Sequence, residues 1–135
     1  MLVVGDCFLI TTNKDRDGYE AKHLFVILLD GEHFTGTTIV VPVNTFDSDK
    51  QDQTTLLQPG EHEFINRVSY TNYSRARVTS IKDIQRVIDE KKAIQKTKFE
   101  ANLVERMCEG VLKSKHTPNE VKRIYEHYMF RKLKK

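Results

Sequence analysis

The sequence predicts an α+β chain: a mainly β part, a small barrel or sandwich over residues 1–78, followed by about three helices over residues 79–135. Three observations predict it. Up to Val78 the apolar residues fall in short runs separated by polar turns, the pattern of several short strands. From Thr79 onward the apolar spacing becomes i, i+3, i+4, which is that of amphipathic helices. The charge changes sign at the same place, with 7 Lys/Arg against 11 Asp/Glu up to Val78 and 15 against 8 after it, for a net +3 over 135 residues. Such a length gives one core plus an appendage. With 39% hydrophobic and 30% charged residues, the chain is neither collagenous, low-complexity nor disordered.

Asp6 to Thr12 is rich in β-formers and runs into the polar stretch Asn13 to Gly18, read as a loop. His23 to Leu29 is continuously apolar after its first residue, as expected of a strand buried on both faces. Asp30-Gly31 with Glu32 to Gly36 forms a hairpin loop, and Thr37 to Val43 is the third strand, with Pro42 near its end. Phe46 to Gln53 is a polar connection, Thr54 to Leu57 a short strand, Pro59-Gly60 a turn, and Tyr73 to Val78 the last strand. Ser80 then caps a helix reaching about Lys92, with Ile81, Ile84, Val87 and Ile88 on one side. Phe99 to about Ser114 is a second helix. Thr117-Pro118-Asn119-Glu120 has the form of a capping box, with Thr at N-cap, Pro at N1 and Glu at N3, opening a third helix. The tail from Arg131 to Lys135 is basic.

Cys7 and Cys108 lie far apart and neither belongs to a CxxC pair, so the expectation is two small buried thiols, with no disulfide, no metal site and no cofactor. The apolar runs are far shorter than the ~20 residues of a bilayer span. No basic leader precedes an apolar stretch at Met1, so a cytoplasmic chain with no membrane partner is expected.

Gly5-Asp6 at the start of the first strand, Lys22-His23 before the second, and Val40-Val41-Pro42-Val43-Asn44-Thr45 in the third carry a resemblance. Over residues 5–78 they look like the MazF/PemK toxin family, whose members begin the first strand with Gly-Asp, place a basic residue before the second and run a Val-Pro strand into Ser/Thr. Leu24 stands where the family has Pro, His23 where Arg is usual, and Asn44-Thr45 where Thr-Ser is commoner. The resemblance implies an SH3-like barrel, metal-independent cleavage of single-stranded RNA, an acidic antitoxin partner and a homodimer. It also carries His23 over to the family's basic position and Thr45 to its Ser/Thr.

The residues allow the same chemistry. Cleavage through the ribose 2′-OH needs a base, an acid and a cation or N–H donors at the developing phosphorane charge. Imidazole serves both proton transfers near neutral pH. His23 is one acid/base candidate, with Lys22 as its electrostatic neighbour, and Thr45 is a phosphate contact. Read blandly, His23 packs on the rim at a strand end and Thr45 caps a turn. His62, between Glu61 and Glu63, is the second acid/base candidate. The run Arg67 to Arg77 supplies Tyr70 and Tyr73 as stacking platforms, with Arg67, Ser69, Arg75 and Arg77 around them as substrate contacts. The alternative is that Glu61-His62-Glu63 is a solvated turn and the aromatic rings close one end of the β part. The lysines and arginines of the helices are solvated faces, an electrostatic landing site for RNA or an acidic partner, or simply decorate helices that cover a sheet edge. A competing function is a non-catalytic interaction module binding nucleic acid or an acidic protein.

Overall fold

A computed structural model describes residues 2–14, 20–31 and 36–133. Most of the loop after the first strand, most of the hairpin loop before the third, and the last two lysines lie outside the described residues. Among the described residues seven strands form one antiparallel sheet: β1 (Cys7–Lys14), β2 (Glu20–Ile27), β3 (Thr37–Thr45), β4 (Leu56–Leu57), β5 (Ser69–Thr71), β6 (Arg77–Ser80) and β7 (Ala93–Lys96). Three helices, α1 (Ile81–Asp89), α2 (Ala101–Lys113) and α3 (Asn119–Leu133), complete an α+β fold. No described helix is long and apolar enough to cross a membrane.

The hydrogen-bonded order is β4-β5-β3-β2-β1-β7, with β6 also on β3. At nine residues β3 is long enough to serve two partners. Val43 to Thr45 pair with β5 and Thr37 to Val40 with β6. Pro42 falls in the changeover, opposite Phe25 of β2, where its carbonyl accepts from the Asn72 amide (2.9 Å). A missing N–H costs least at such an irregular point.

Alternation along the strands divides the core in two. Cys7, Leu24, Val26, Ile39 and Val41 face α2 and α3, against Leu103, Val104, Met107, Val111, Val121 and Tyr125. Phe8, Phe25, Ile27 and Val40 face the other way, against Ile84 of α1 with Leu2 and Ala93. There the Phe8 and Phe25 rings stack at 5.8 Å. Each such side chain contributes roughly 1.5–3 kcal/mol by leaving water, and burial on both sides explains why β2 reads as an unbroken apolar run. Gly5, at φ +91°, and Asp6, whose Oδ2 accepts from the Val3 amide (2.7 Å), form the turn that launches β1.

Several sequence expectations are corrected. Asn13 and Lys14 belong to β1. The strand expected over Tyr73 to Val78 is instead a 3-10 turn, Tyr73–Arg75, followed by β6, and a strand not anticipated, β5, precedes it. The region after Thr79 is not purely helical. α1 stops at Asp89, Lys91 takes a positive φ of 61°, and the chain returns as β7 alongside β1. Ser80 caps α1 as expected, its hydroxyl accepting from the Asp83 amide (3.1 Å). The capping box at α3 does not form: Thr117 is buried and its hydroxyl has no hydrogen-bond partner among the described residues.

Candidate functional site

The end of the sheet where β2, β3 and β5 meet gathers the polar groups. Leu24 pairs with Val43 in the β2–β3 ladder, so the next residues outward, His23 and Asn44, stand opposite each other on the Phe25 face. Tyr70 of β5 pairs with Asn44 and extends the row. The 3-10 turn after β5 brings Asn72, Ser74 and Arg75 to the same place. Arg77, one row inward, sets its guanidinium carbon 5.7 Å from the Phe25 ring centroid. This row joins His23, Tyr70, Arg75 and Arg77, which the sequence singled out, to Asn44, Asn72 and Ser74, which it did not.

A hydrogen-bond relay holds His23. The Ser74 hydroxyl donates to Asn72 Oδ1 (2.6 Å), Asn72 Nδ2 donates to Asn44 Oδ1 (2.9 Å), and Asn44 Nδ2 lies 3.3 Å from His23 Nδ1. With the amides so placed, His23 Nδ1 accepts and its proton sits on Nε2. Burial lowers the pKa of His23, and the Arg75 guanidinium lowers it further.

The folded protein therefore binds fewer protons at His23 than the unfolded chain, whose imidazole titrates near ~6.5. Stability rises with pH between the lowered value and ~6.5, and the full deficit is present below both. An NMR titration is expected to put the His23 midpoint below ~6.5, and Arg75→Gln is expected to raise it. A midpoint that Arg75→Gln leaves unmoved would show that the guanidinium does not act on this ring.

Tyr70 is mostly buried, edge-on to Phe46 at 6.3 Å, and its hydroxyl is raised in pKa by burial and by Asp47, with Arg75 opposing. Its environment suits it to shape the site's wall rather than to lie flat under a base.

The other sequence candidates stand elsewhere. Thr45 pairs with Ser69, one residue beyond the Asn44–Tyr70 pair, so both lie on the opposite face from His23. Thr45 is exposed there, and Ser69 is buried with its hydroxyl donating to the Arg67 carbonyl (3.0 Å). Arg67 is exposed in the segment before β5. Lys22 pairs with Thr11, and its side chain lies outside the described residues.

Tyr73 is not a stacking platform. It is fully buried, its hydroxyl donates to the Met107 carbonyl of α2 (2.6 Å) and meets Thr55 Oγ1 (2.8 Å), and burial raises its pKa.

His62 is likewise a core residue, 6% exposed. Its ring stacks on Phe99 at 4.2 Å, Nε2 donates to the Thr97 carbonyl (2.6 Å), and Nδ1 accepts from the Phe64 amide (3.1 Å). Glu61 and Glu63 do not steer it. Glu61 accepts from the Gln58 amide and pairs with Arg106, while Glu63 accepts from the Thr97 hydroxyl. With both nitrogens hydrogen-bonded inside the core, neither is presented to a ligand. His62→Ala is expected to cost about 2–4 kcal/mol in urea denaturation, from a cavity and a lost buried hydrogen bond. A change below ~0.5 kcal/mol would place the ring outside the core.

Among the described residues no group of three or more His, Cys, Asp or Glu is placed to hold a metal ion. Both cysteines are free. No protein-family model matches the chain, and no curated protein is significantly similar to it.

Proposed function

We propose that the His23 corner binds a phosphodiester of single-stranded RNA and cleaves the strand through its own ribose 2′-OH, without a metal, as the PemK/MazF-like toxins to which the sequence bears a resemblance do. The observation that carries this reading is the gathering, on one face, of the half-buried His23 ring held by the Asn44–Asn72 relay and the exposed Arg75 of the following turn, whose guanidinium helps lower the pKa of the ring. The low pKa keeps His23 in its neutral, basic form near pH 7.

As a base the ring needs its Nε2 lone pair. Turning both amides of the relay end for end exchanges the places of their oxygen and nitrogen atoms and reverses each donor in it. His23 Nδ1–H then donates to Asn44 Oδ1, Asn44 Nδ2 to Asn72 Oδ1, and Asn72 Nδ2 to the Ser74 hydroxyl. Nε2 takes the 2′-hydroxyl proton, the 2′-oxygen bonds to phosphorus, and the P–O5′ bond breaks, its oxygen taking a proton from solvent. Arg75 offsets the charge that grows on the phosphorane oxygens. The products are a 2′,3′-cyclic phosphate and a 5′-hydroxyl.

One observation favours a second reading. With His62 in the core, the corner has a single described imidazole, so a module that binds RNA or an acidic protein without turnover fits the same face. Both readings keep Arg75 as an anion contact, to phosphate where the partner is RNA. Arg75→Gln is expected to weaken binding of a single-stranded RNA in fluorescence anisotropy and to reduce the salt slope by about 1. Unchanged affinity and slope would remove the phosphate from this corner. On the toxin reading, the chain works in the cytoplasm, a second copy forms a homodimer, and an acidic antitoxin is the neutralising partner.

A further inference from the structure

The opposite side of the β3 end carries a groove that the His23 corner does not use. Its floor is Leu9, Leu24 and Val43, adjacent across β1, β2 and β3, and Phe64 and Ile65 wall it. Thr45 and Ser69 supply its polar rim beside Asn44, and its volume is about 220 Å³. That is below the ~300 Å³ at which drug-sized ligand sites begin, and it suits one flat ring.

We propose that this groove takes one unstacked nucleobase of the bound RNA, with Phe64 as the stacking surface; the proposal rests on the RNA reading of the His23 corner. Three features support it. Phe64 is a large aromatic side chain left 43% exposed at the groove, where an apolar flat partner would recover the area now facing water. The Lys96 ammonium lies 5.0 Å from the Phe64 ring centroid and brings positive charge to that wall, as a polyanion's base pocket needs. Asn44 borders the groove while its carboxamide turns to the other face, into the relay to His23. The phosphate corner and the groove therefore lie on the two faces of the same β3 end, and RNA passing over that end reaches both. On this reading Thr45 and Ser69 do not contact phosphate. The exposed Thr45 hydroxyl faces the edge of the base, and Ser69, whose proton is held by the Arg67 carbonyl, can only accept from it.

The chain contains no tryptophan, so Phe64→Trp gives a single indole, excited apart from the tyrosines, at the wall. Titration with a short oligouridine should quench it, whereas the same oligomer with abasic positions, or inorganic polyphosphate, should not. Phe64→Ala should weaken oligouridine binding about tenfold, within the range for one stacked base, and leave binding of the abasic oligomer within about twofold. Equal loss for both oligomers, or loss for neither, overturns the base pocket while leaving the phosphate corner standing. Failure of the unsubstituted protein to bind either oligomer overturns the RNA reading and the pocket with it.

Discussion

Gly110→Ala is expected to destabilise the protein by about 3 kcal/mol or more, in a direction opposite to helix propensity. Gly110 lies inside α2, where exchange for Ala ordinarily gains about 1 kcal/mol. Here the missing Cβ is the space that Tyr73 occupies. A methyl group would overlap the Tyr73 hydroxyl and come within 2.5 Å of Thr55 Oγ1. That hydroxyl cannot retreat without giving up its bond to the Met107 carbonyl. Urea denaturation reads the loss directly, and Tyr73→Phe in the Gly110→Ala background should recover part of it, since the two changes share one contact. A stabilised Gly110→Ala protein would mean that Tyr73 does not dock on α2 as described.

His23→Ala is expected to reduce RNA cleavage by about 10²–10⁴-fold, the usual contribution of a positioned base. RNA affinity should stay within about threefold, because Arg75 remains. The ring is only half-buried, so stability should change little and the loss can be read as chemistry. Thr45→Val is the matched control. Thr45 lies across the strand from His23, so at saturating RNA its loss should leave the cleavage rate within about threefold, any effect falling on affinity. If Thr45→Val removed turnover and His23→Ala did not, the reacting phosphate would belong on the other face.

The strands were legible because burial on both sides leaves continuous apolar runs, as in Leu24 to Leu29, and α1 was legible from its Ser80 cap. β7 was not legible. Four residues ending in Gln95 and Lys96, with Ile94 exposed, follow a helix closely and show no period. β5 owes its existence to pairing with β3 and β4, which no local pattern reports. The site divides in the same way. His23 and Arg75 were visible as residue types, but Asn44 and Asn72 matter only through the relay. A polar amide inside a strand, opposite a histidine, was the signal for Asn44, since Asn is disfavoured in strands. Alternation alone separates Asn44 from Thr45 and removes Thr45 from the His23 face. His62 and Tyr73 were misread because their partners, Thr97 and Phe99 for one and Met107 for the other, are more than thirty residues away. Neighbouring acids or arginines in sequence say nothing about such contacts.

Incubating the purified chain with a long single-stranded RNA in EDTA, and identifying the ends of whatever is produced, tests the His23 chemistry most directly. Discrete fragments carrying 2′,3′-cyclic phosphates and 5′-hydroxyls, absent with His23→Ala, are the expected result. RNA left intact, or cut by the His23→Ala protein at the same rate, would contradict it.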